Sequence, residues 1–294
     1  MTTQPDEGYF PAGQSILRRV HEHRLVGLFY GQRALCIGAL APLNYIGTSR
    51  HTRGKLAPFR RLTGTGNAFE KIYFGTRAEA DRVLAHVHRL HDTVKGEIPE
   101  DAGPFPAGTA YSAYDPALML WTVALIADSA AYFQELFVAP LGPDEHEALW
   151  QEYIRFGELF GMPREVAPQT YPEFREYFDT TLAGPDMHLT DEARYIGHAT
   201  AFEIPMPGHM QLSKRVHDLL MLGSLPPRVR ELYGLEWSPG RERTFRRLAG
   251  IMRAGGSVAP RKLTHGWNRQ SFDMVERTER RRLERGLPTP QVTA

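Results

Sequence analysis

The stretch DPALMLWTVALIADSAAYFQELFV, residues 115–138, decides the fold class. Asp115 followed by Pro116 is a typical helix start, with a capping side chain before a proline at the first helical position. The run from Pro116 to Ala127 is the most apolar of the chain and ends at Asp128. Because this run is too short to span a bilayer, it predicts a helix buried in a protein core.

Similar start and stop signals recur along the chain. Residues 143–160 begin with an acidic first turn and end at Gly161, and Thr170 with Glu173 fits a capping box. Further helices are predicted over 190–202, 210–222, 226–232 and 238–253. Alternating strand patterns are scarce. We therefore predict an all-α fold, a single domain of about ten helices around a buried pocket.

The ends of the chain are polar or charged. We expect residues 1–12 to form a flexible N-terminus, residues 13–268 to form the helical domain, and residues 269–294 to form a charged C-terminal tail. In the tail, arginines alternate with glutamates, which favours a solvated, loosely held segment over an arm that binds nucleic acid.

The bulk composition excludes several classes of protein. Lys and Arg number 35 and Asp and Glu number 34, so no basic field for nucleic acid is predicted. A single cysteine, Cys36, excludes an intrachain disulfide framework and a multi-cysteine metal site. The start, MTTQPDEGYF, is acidic where an export signal is basic, and no transmembrane segment is predicted. We expect a cytoplasmic protein.

One histidine is the first candidate for chemistry. It lies in TRAEADRVLAHVHRLHDTVKG, residues 76–96, which carries a capping box at its start and a glycine stop at its end. At about 100° per residue, His91 lies within the apolar stripe of this helix, whereas His86 and His88 diverge to either side. A buried imidazole needs a partner, which is either a backbone carbonyl or a metal or cofactor.

The second candidate region is the segment Gly54–Asn67, which is rich in Gly, Thr and Arg and is predicted to be a loop between helical blocks. Arg61 is a fixed cation, and Thr65, directly after Gly64, is a hydroxyl donor. Such a pair can hold an anion, polarise a peroxide or bind a propionate. A phosphate loop is not indicated, because the lysine and the preceding strand that it requires are absent.

An ordered set of motifs carries a resemblance to a known family. The motifs are Arg61-Leu62-x-x-Thr65, Phe74-Gly75-Thr76, His91-x-x-Val94-x-Gly96, Tyr111-Ser112-Ala113-x-Asp115-Pro116, Trp121 and Gly157-x-x-Phe160-Gly161-Met162-Pro163. Together, over roughly residues 25–255, they resemble the haem-dependent oxygenases that include the fungal MpaB-type oxygenases and the bacterial latex-clearing proteins, or rubber oxygenases.

The resemblance implies a partly globin-like helical core that holds one haem b. His91 matches the family's proximal iron ligand, and Arg61 and Thr65 match its distal arginine and threonine. Those distal groups would stabilise bound dioxygen or peroxide. The expected activity is oxygenation or peroxygenation of a hydrophobic, unsaturated small molecule.

The chain departs from the rubber oxygenases at two positions. Gly64 stands where they place a lysine, and no acidic residue occurs between Gly31 and Gly54, where they place a distal glutamate. Asn44, Tyr45, His51 or a water could substitute for that acid, but rubber cleavage itself is not supported. Three alternatives stay open: a haem-binding protein of this fold without turnover, a metal-free helical interaction module, and a zinc or non-haem iron enzyme that uses His88 and His91.

Overall fold

The computed structural model describes residues 7–50 and 58–288. Within this part the chain forms fourteen α-helices, two short 3-10 helices and one two-stranded sheet. The α-helices are α1 (Ile16–Glu22), α2 (Arg24–Gly38), α3 (Pro42–Arg50), α4 (Pro58–Phe74), α5 (Arg77–His91), α6 (Pro116–Phe137), α7 (Pro143–Leu159), α8 (Tyr171–Ala183), α9 (Asp191–Phe202), α10 (Gln211–Ser224), α11 (Pro227–Tyr233), α12 (Pro239–Val258), α13 (Arg261–Thr264) and α14 (Arg269–Glu284). The strands are β1 (Lys95–Glu97) and β2 (Ala110–Ser112), and the 3-10 helices are Arg164–Val166 and Gly208–Met210. The all-α prediction is confirmed.

Helix α6 is the centre of the core, and its most extensive partner is α2. The ring of Phe29 on α2 lies 5.3 Å from the ring of Phe133 and 5.2 Å from that of Phe137, both on α6. Both α6 rings are fully buried. Burial of each such ring contributes roughly 1.5–3 kcal/mol, so this contact is a main source of stability.

The apolar character of α6 also satisfies a simple test for a membrane span. It is the one helix in the described ranges that is long and apolar enough to cross a membrane by length and composition, and 72% of the 18-residue window is buried inside the fold. A helix that is apolar on all sides is expected when it is enclosed by other helices.

Local capping chemistry explains where several helices begin. Asp115 accepts hydrogen bonds from the backbone N–H groups of Ala117 and Leu118, and Thr170 forms the predicted capping box with Glu173. These bonds satisfy N–H groups that the first helical turn leaves without partners. The predicted starts of α6 and α8 are confirmed.

Helix α4 replaces a predicted loop. The loop prediction over Gly54–Asn67 is wrong for residues 58–67, which form the first turns of α4, while residues 51–57 lie outside the described part. One of the glycines that suggested a loop allows a close helix contact instead, because a Cβ on Gly66 would lie 2.7 Å from Cζ of Phe272 on α14. Tertiary packing of this kind outweighs weak helix propensity.

Helix α14 is docked on α4. The backbone N–H of Asn268 donates to Oε1 of Glu70 at 2.7 Å, and the hydroxyl of Thr63 donates to Oε1 of Glu276 at 2.5 Å. Glu279 is only 3% exposed. The prediction that the tail is loosely held is therefore wrong for residues 269–284, while a domain boundary near residue 268 stays a prediction.

The N-terminal segment is also packed where it is described. Phe10 is 1% exposed and joins the main core, with its ring 6.2 Å from that of Tyr73. The hydroxyl of Tyr9 donates to Asp81 at 2.6 Å. Residues 7–12 are thus attached to the helical body by the buried ring of Phe10 and by hydrogen bonds of Tyr9 and of the Phe10 carbonyl.

The predicted helix over residues 76–96 ends early. Helix α5 stops at His91, and Gly96 lies in strand β1, where it pairs with Tyr111 of the antiparallel strand β2. The carbonyl of Val94 accepts from the N–H of Ala113 at 2.8 Å, so the backbone groups after residue 93 bond across the hairpin. The sheet thereby fixes the position of the C-terminal end of α5.

Candidate functional site

His91 is the last residue of α5 and is half-buried rather than enclosed. Its ring lies 5.7 Å from the ring of Tyr114, edge to face, and 6.5 Å from the ring of Phe160. Its Nδ1 atom is buried and has no hydrogen-bond partner in the described structure. Burying a ring nitrogen without a hydrogen-bond partner costs folding free energy, so this nitrogen is a candidate to bind a ligand.

The electrostatic surroundings keep His91 neutral. Desolvation lowers its pKa below the ordinary value for histidine, the neighbouring His88 lowers it further, and Asp92 opposes both effects. A neutral imidazole keeps a nitrogen lone pair, which is the form that binds metals.

The other two histidines of the cluster have different environments. Nε2 of His88 lies 3.1 Å from the carbonyl oxygen of Leu159, and its Nδ1 lies 3.1 Å from the hydroxyl of Tyr114. Because a carbonyl can only accept, Nε2 of His88 is the donor to Leu159. His86 is exposed. Of the three, His91 alone combines burial with an unbonded ring nitrogen.

A zinc or non-haem iron site is poorly supplied with ligands. Among residues 7–50 and 58–288, no group of three or more His, Cys, Asp and Glu side chains could hold a metal ion. Since both ring nitrogens of His88 are already hydrogen-bonded, a shared metal between His88 and His91 would have to break those contacts. Protein zinc sites use three or four protein ligands.

Arg61 and Thr65 lie on the first two turns of α4, four residues apart and therefore on one face. One turn further, the ring of Phe69 lies 5.9 Å from the ring of Phe160, which also contacts His91. Phe160 thus lies between the helix of Arg61 and Thr65 and the ring of His91. Helix α14 covers the other side of α4, because its contact Glu70 is nine residues from Arg61, about 180° around the helix.

The side chain of Arg61 is exposed to solvent. Desolvation by the surrounding protein nevertheless lowers the pKa of its guanidinium, while Tyr45 raises it in part. Thr65 is exposed on the same face.

Tyr45, on α3, joins this group from another direction. It is 9% exposed, and its hydroxyl is buried without a hydrogen-bond partner in the described structure. Burial raises its pKa above the ordinary value for tyrosine, Glu192 on α9 raises it further, and Arg61 lowers it. The phenol is therefore influenced by a carboxylate and a guanidinium that come from two different helices.

Glu192 is the group that sequence reasoning missed. It lies far from Tyr45 along the chain, and its only local signal is its place in the acidic first turn of α9. Asn44 is engaged elsewhere, since its Nδ2 donates to the carbonyl of Leu118 at 3.0 Å and to the hydroxyl of Thr122 at 3.1 Å. His51 lies outside the described residues.

A match to the family described as "ER-bound oxygenase mpaB/B'/Rubber oxygenase, catalytic domain" spans residues 18–254. The chain belongs to this family. Its members are oxygenase catalytic domains, so the family supports an enzymatic, oxygenase role in general. The match covers the helices that carry Arg61, Thr65, His91 and Tyr45.

Two curated relatives are similar over most of their length. They are "Uncharacterized protein Rv2237" of Mycobacterium tuberculosis and "Uncharacterized protein Mb2261" of Mycobacterium bovis. Each is 25% identical to this chain over 205 residues, which is 70% of this chain and 77% of the relative. No solved structure matches the chain.

Proposed function

We propose that this protein is a haem b-dependent oxygenase or peroxygenase that acts on a hydrophobic, unsaturated small molecule. Dioxygen or peroxide is the co-substrate. His91 is the proposed iron ligand, and Arg61 and Thr65 are the proposed distal residues. Haem b, when bound, supplies the redox chemistry with dioxygen or peroxide, which none of the twenty side chains supplies alone.

The observation that carries this proposal is the unbonded, buried Nδ1 of His91. A haem iron needs one protein imidazole on its proximal side, whereas a zinc site needs three or four protein ligands. The cluster offers a single neutral histidine that lacks a partner, which fits the first requirement and not the second.

Aromatic rings beside His91 make the site apolar. Tyr114 and Phe160 contact the imidazole, and Phe69 and Phe156 contact Phe160 at ring separations of 5.9 and 4.8 Å. Such rings exclude water from the imidazole and suit both a flat macrocycle and a hydrophobic substrate. This supports a substrate without charge at its reacting end.

The polar groups have separate proposed roles. The guanidinium of Arg61 is a permanent cation that hydrogen-bonds to oxygen atoms with negative charge, and Thr65 adds a hydroxyl donor. Tyr45 holds a proton on a buried oxygen that has no other partner, which makes it the proposed proton donor of the site. Glu192 raises the affinity of Tyr45 for that proton.

A second candidate function is haem binding without turnover. The observation that favours it is the absence of an acidic residue between Gly31 and Gly54, the region that carries the distal acid in rubber oxygenases. In that case the protein would retain haem through His91, and Arg61→Ala would leave its reaction with dioxygen or peroxide unchanged.

The test compares haem content in two variants of one helix. His91→Ala is expected to lose haem on purification, because the proposed ligand is removed, whereas His86→Ala is expected to retain it, because His86 is exposed. Haem per chain is measured from the pyridine haemochrome spectrum. Equal haem content in the two variants would remove His91 as the ligand.

A further inference from the structure

A cavity that is broadly open to solvent lies away from the candidate oxygenase site. It has a volume of about 630 Å³ and is lined by residues of α2, α6, α8, α10, α11 and α12. Asp128 in its wall lies twelve residues beyond Pro116, the first residue of α6, which is about 18 Å along the helix axis from the end near Tyr114. Its size is within the range of small-molecule sites.

The floor of the cavity holds a shared buried carboxylate. Oδ2 of Asp128 lies 2.5 Å from Nη1 of Arg33, whose side chain is only 4% exposed, and Oδ1 of Asp128 accepts from Arg175. Arg175 also pairs with Asp179 at 2.9 Å. The carboxylates of Asp128 and Asp179 are therefore already paired with Arg33 and Arg175, and neither neutralises a further cation.

Arg230, on α11, is that further cation. It lines the cavity, and no described carboxylate forms an ion pair with it. Its Nη1 donates to the carbonyl oxygen of Leu225 at 2.6 Å, and its guanidinium lies 5.0 Å from the ring of Trp237. The remaining N–H groups form a planar fork that suits two oxygens of one anion. Glu242, on α12, accepts from Arg246 and from the indole N–H of Trp237, and its carboxylate also favours the charged form of Arg230 without forming an ion pair with it.

Part of the lining is apolar. Phe178 and Leu182 on α8 face the cavity from one side, and Phe245 on α12 and Leu225 face it from the other. Inorganic phosphate would leave these walls without contacts. A ligand that uses the whole volume has one anionic end and a hydrocarbon body.

We propose that this cavity binds a small carboxylate with an apolar body. The carboxylate lies on Arg230, and the hydrocarbon part packs on Phe178, Leu182 and Phe245. This site uses neither His91 nor haem, so failure of this proposal would leave the proposed oxygenase function unaffected, and the reverse also holds.

The experiment is isothermal titration calorimetry of the full chain with octanoate, octan-1-ol and inorganic phosphate. Octanoate is expected to bind at least about ten-fold more tightly than the other two, because it alone satisfies both the guanidinium and the apolar walls. Octan-1-ol or phosphate that binds as tightly as octanoate would overturn the proposal, and so would the absence of saturable binding at millimolar octanoate.

Three variants locate the binding. Arg230→Gln is expected to weaken octanoate binding by at least about ten-fold. The matched control is Arg228→Gln on the same helix, since Arg228 is exposed and does not line the cavity, and its affinity should equal that of the unchanged protein. Asp179→Asn removes a negative charge at the rim and should tighten binding by about two- to five-fold, an effect that misfolding cannot produce. Equal affinities in the Arg230→Gln and Arg228→Gln proteins, or weaker binding in Asp179→Asn, would contradict the assignment.

Discussion

Asp128 lies between two guanidinium groups, and its replacement by asparagine isolates the contribution of a buried charge. The change keeps the shape of the side chain and one acceptor oxygen. It leaves Arg33, which is 4% exposed, with hydrogen bonds only to Ser129, to the carbonyl of Ser224 and to the new amide oxygen. Removal of one partner from a buried ion pair costs about 3–5 kcal/mol, and the retained acceptor reduces this to about 2–4 kcal/mol.

Asp179→Asn is the matched control, because Asp179 pairs with the same Arg175 but its side chain is 68% exposed. An exposed pair contributes less than about 1 kcal/mol. The free energy of unfolding is measured by urea denaturation, followed by circular dichroism. We expect Asp128→Asn to lower it by at least about 2 kcal/mol more than Asp179→Asn.

A double replacement separates charge from packing. In the protein with Arg33→Met and Asp128→Leu, both buried charges are absent, and most of the loss should be recovered, because apolar residues of similar volume often replace a buried pair at little cost. If Asp128→Asn and Asp179→Asn have free energies of unfolding within about 1 kcal/mol of each other, Asp128 is effectively solvated and the reasoning is refuted.

Further predictions concern the two faces of α4, a buried acid and the proposed distal residues. Gly64→Ala should raise the free energy of unfolding by about 0.5–1 kcal/mol, since the new Cβ would meet nothing within 4 Å. Gly66→Ala should lower it by about 1–3 kcal/mol, because the new Cβ would meet the ring of Phe272 on α14. Urea denaturation measures both changes, and two changes of the same sign would contradict the predicted contrast. Burial raises the pKa of Glu279 to about 7, above its ordinary value, so the native state binds the proton more tightly and stability falls as pH rises from about 4.5 to 7. Glu279→Gln should remove up to about 3 kcal/mol of that fall. The free energy of unfolding is measured by urea denaturation at several pH values, and the same pH dependence in the variant and the unchanged protein would contradict this. Arg61→Ala should retain haem but react more slowly with peroxide in stopped-flow absorption, and an unchanged rate would argue against its distal role. Tyr45→Phe should also retain haem and slow that reaction, whereas an unchanged rate would exclude Tyr45 as the proton donor.

Helix starts were predictable because they depend on neighbouring residues. Asp115 caps α6 with a side chain that bonds N–H groups two and three residues later, and Thr190 caps α9 in the same way. This chemistry is complete within one turn, so sequence spacing is sufficient to find it.

Helix α4 was not predictable from local sequence. Gly64 and Gly66 lower its helix propensity, and the compensating contact comes from Phe272, more than two hundred residues later. Propensity and turn composition describe the chain before such a partner is present. The same partner explains why the charged tail is docked.

The candidate site was likewise predictable only where the signal is local in sequence. Helical spacing singled out His91, and the structure adds that its Nδ1 is buried and has no hydrogen-bond partner among the described residues. The influence of Glu192 on Tyr45 depends on the packing of α9 against α2 and α4, which no spacing rule describes. The segment between Gly31 and Gly54 contains no acidic residue. Only a residue that is distant in sequence and near in the fold can therefore take the place of that acid.

The absorption spectrum of the purified protein, expressed with a haem precursor, tests most directly whether this chain holds haem b. We expect an intense Soret band that shifts on reduction, with a pyridine haemochrome of the b type at about one haem per chain. A colourless protein that also fails to bind added haemin would contradict haem binding and leave a metal-free helical module as the better interpretation.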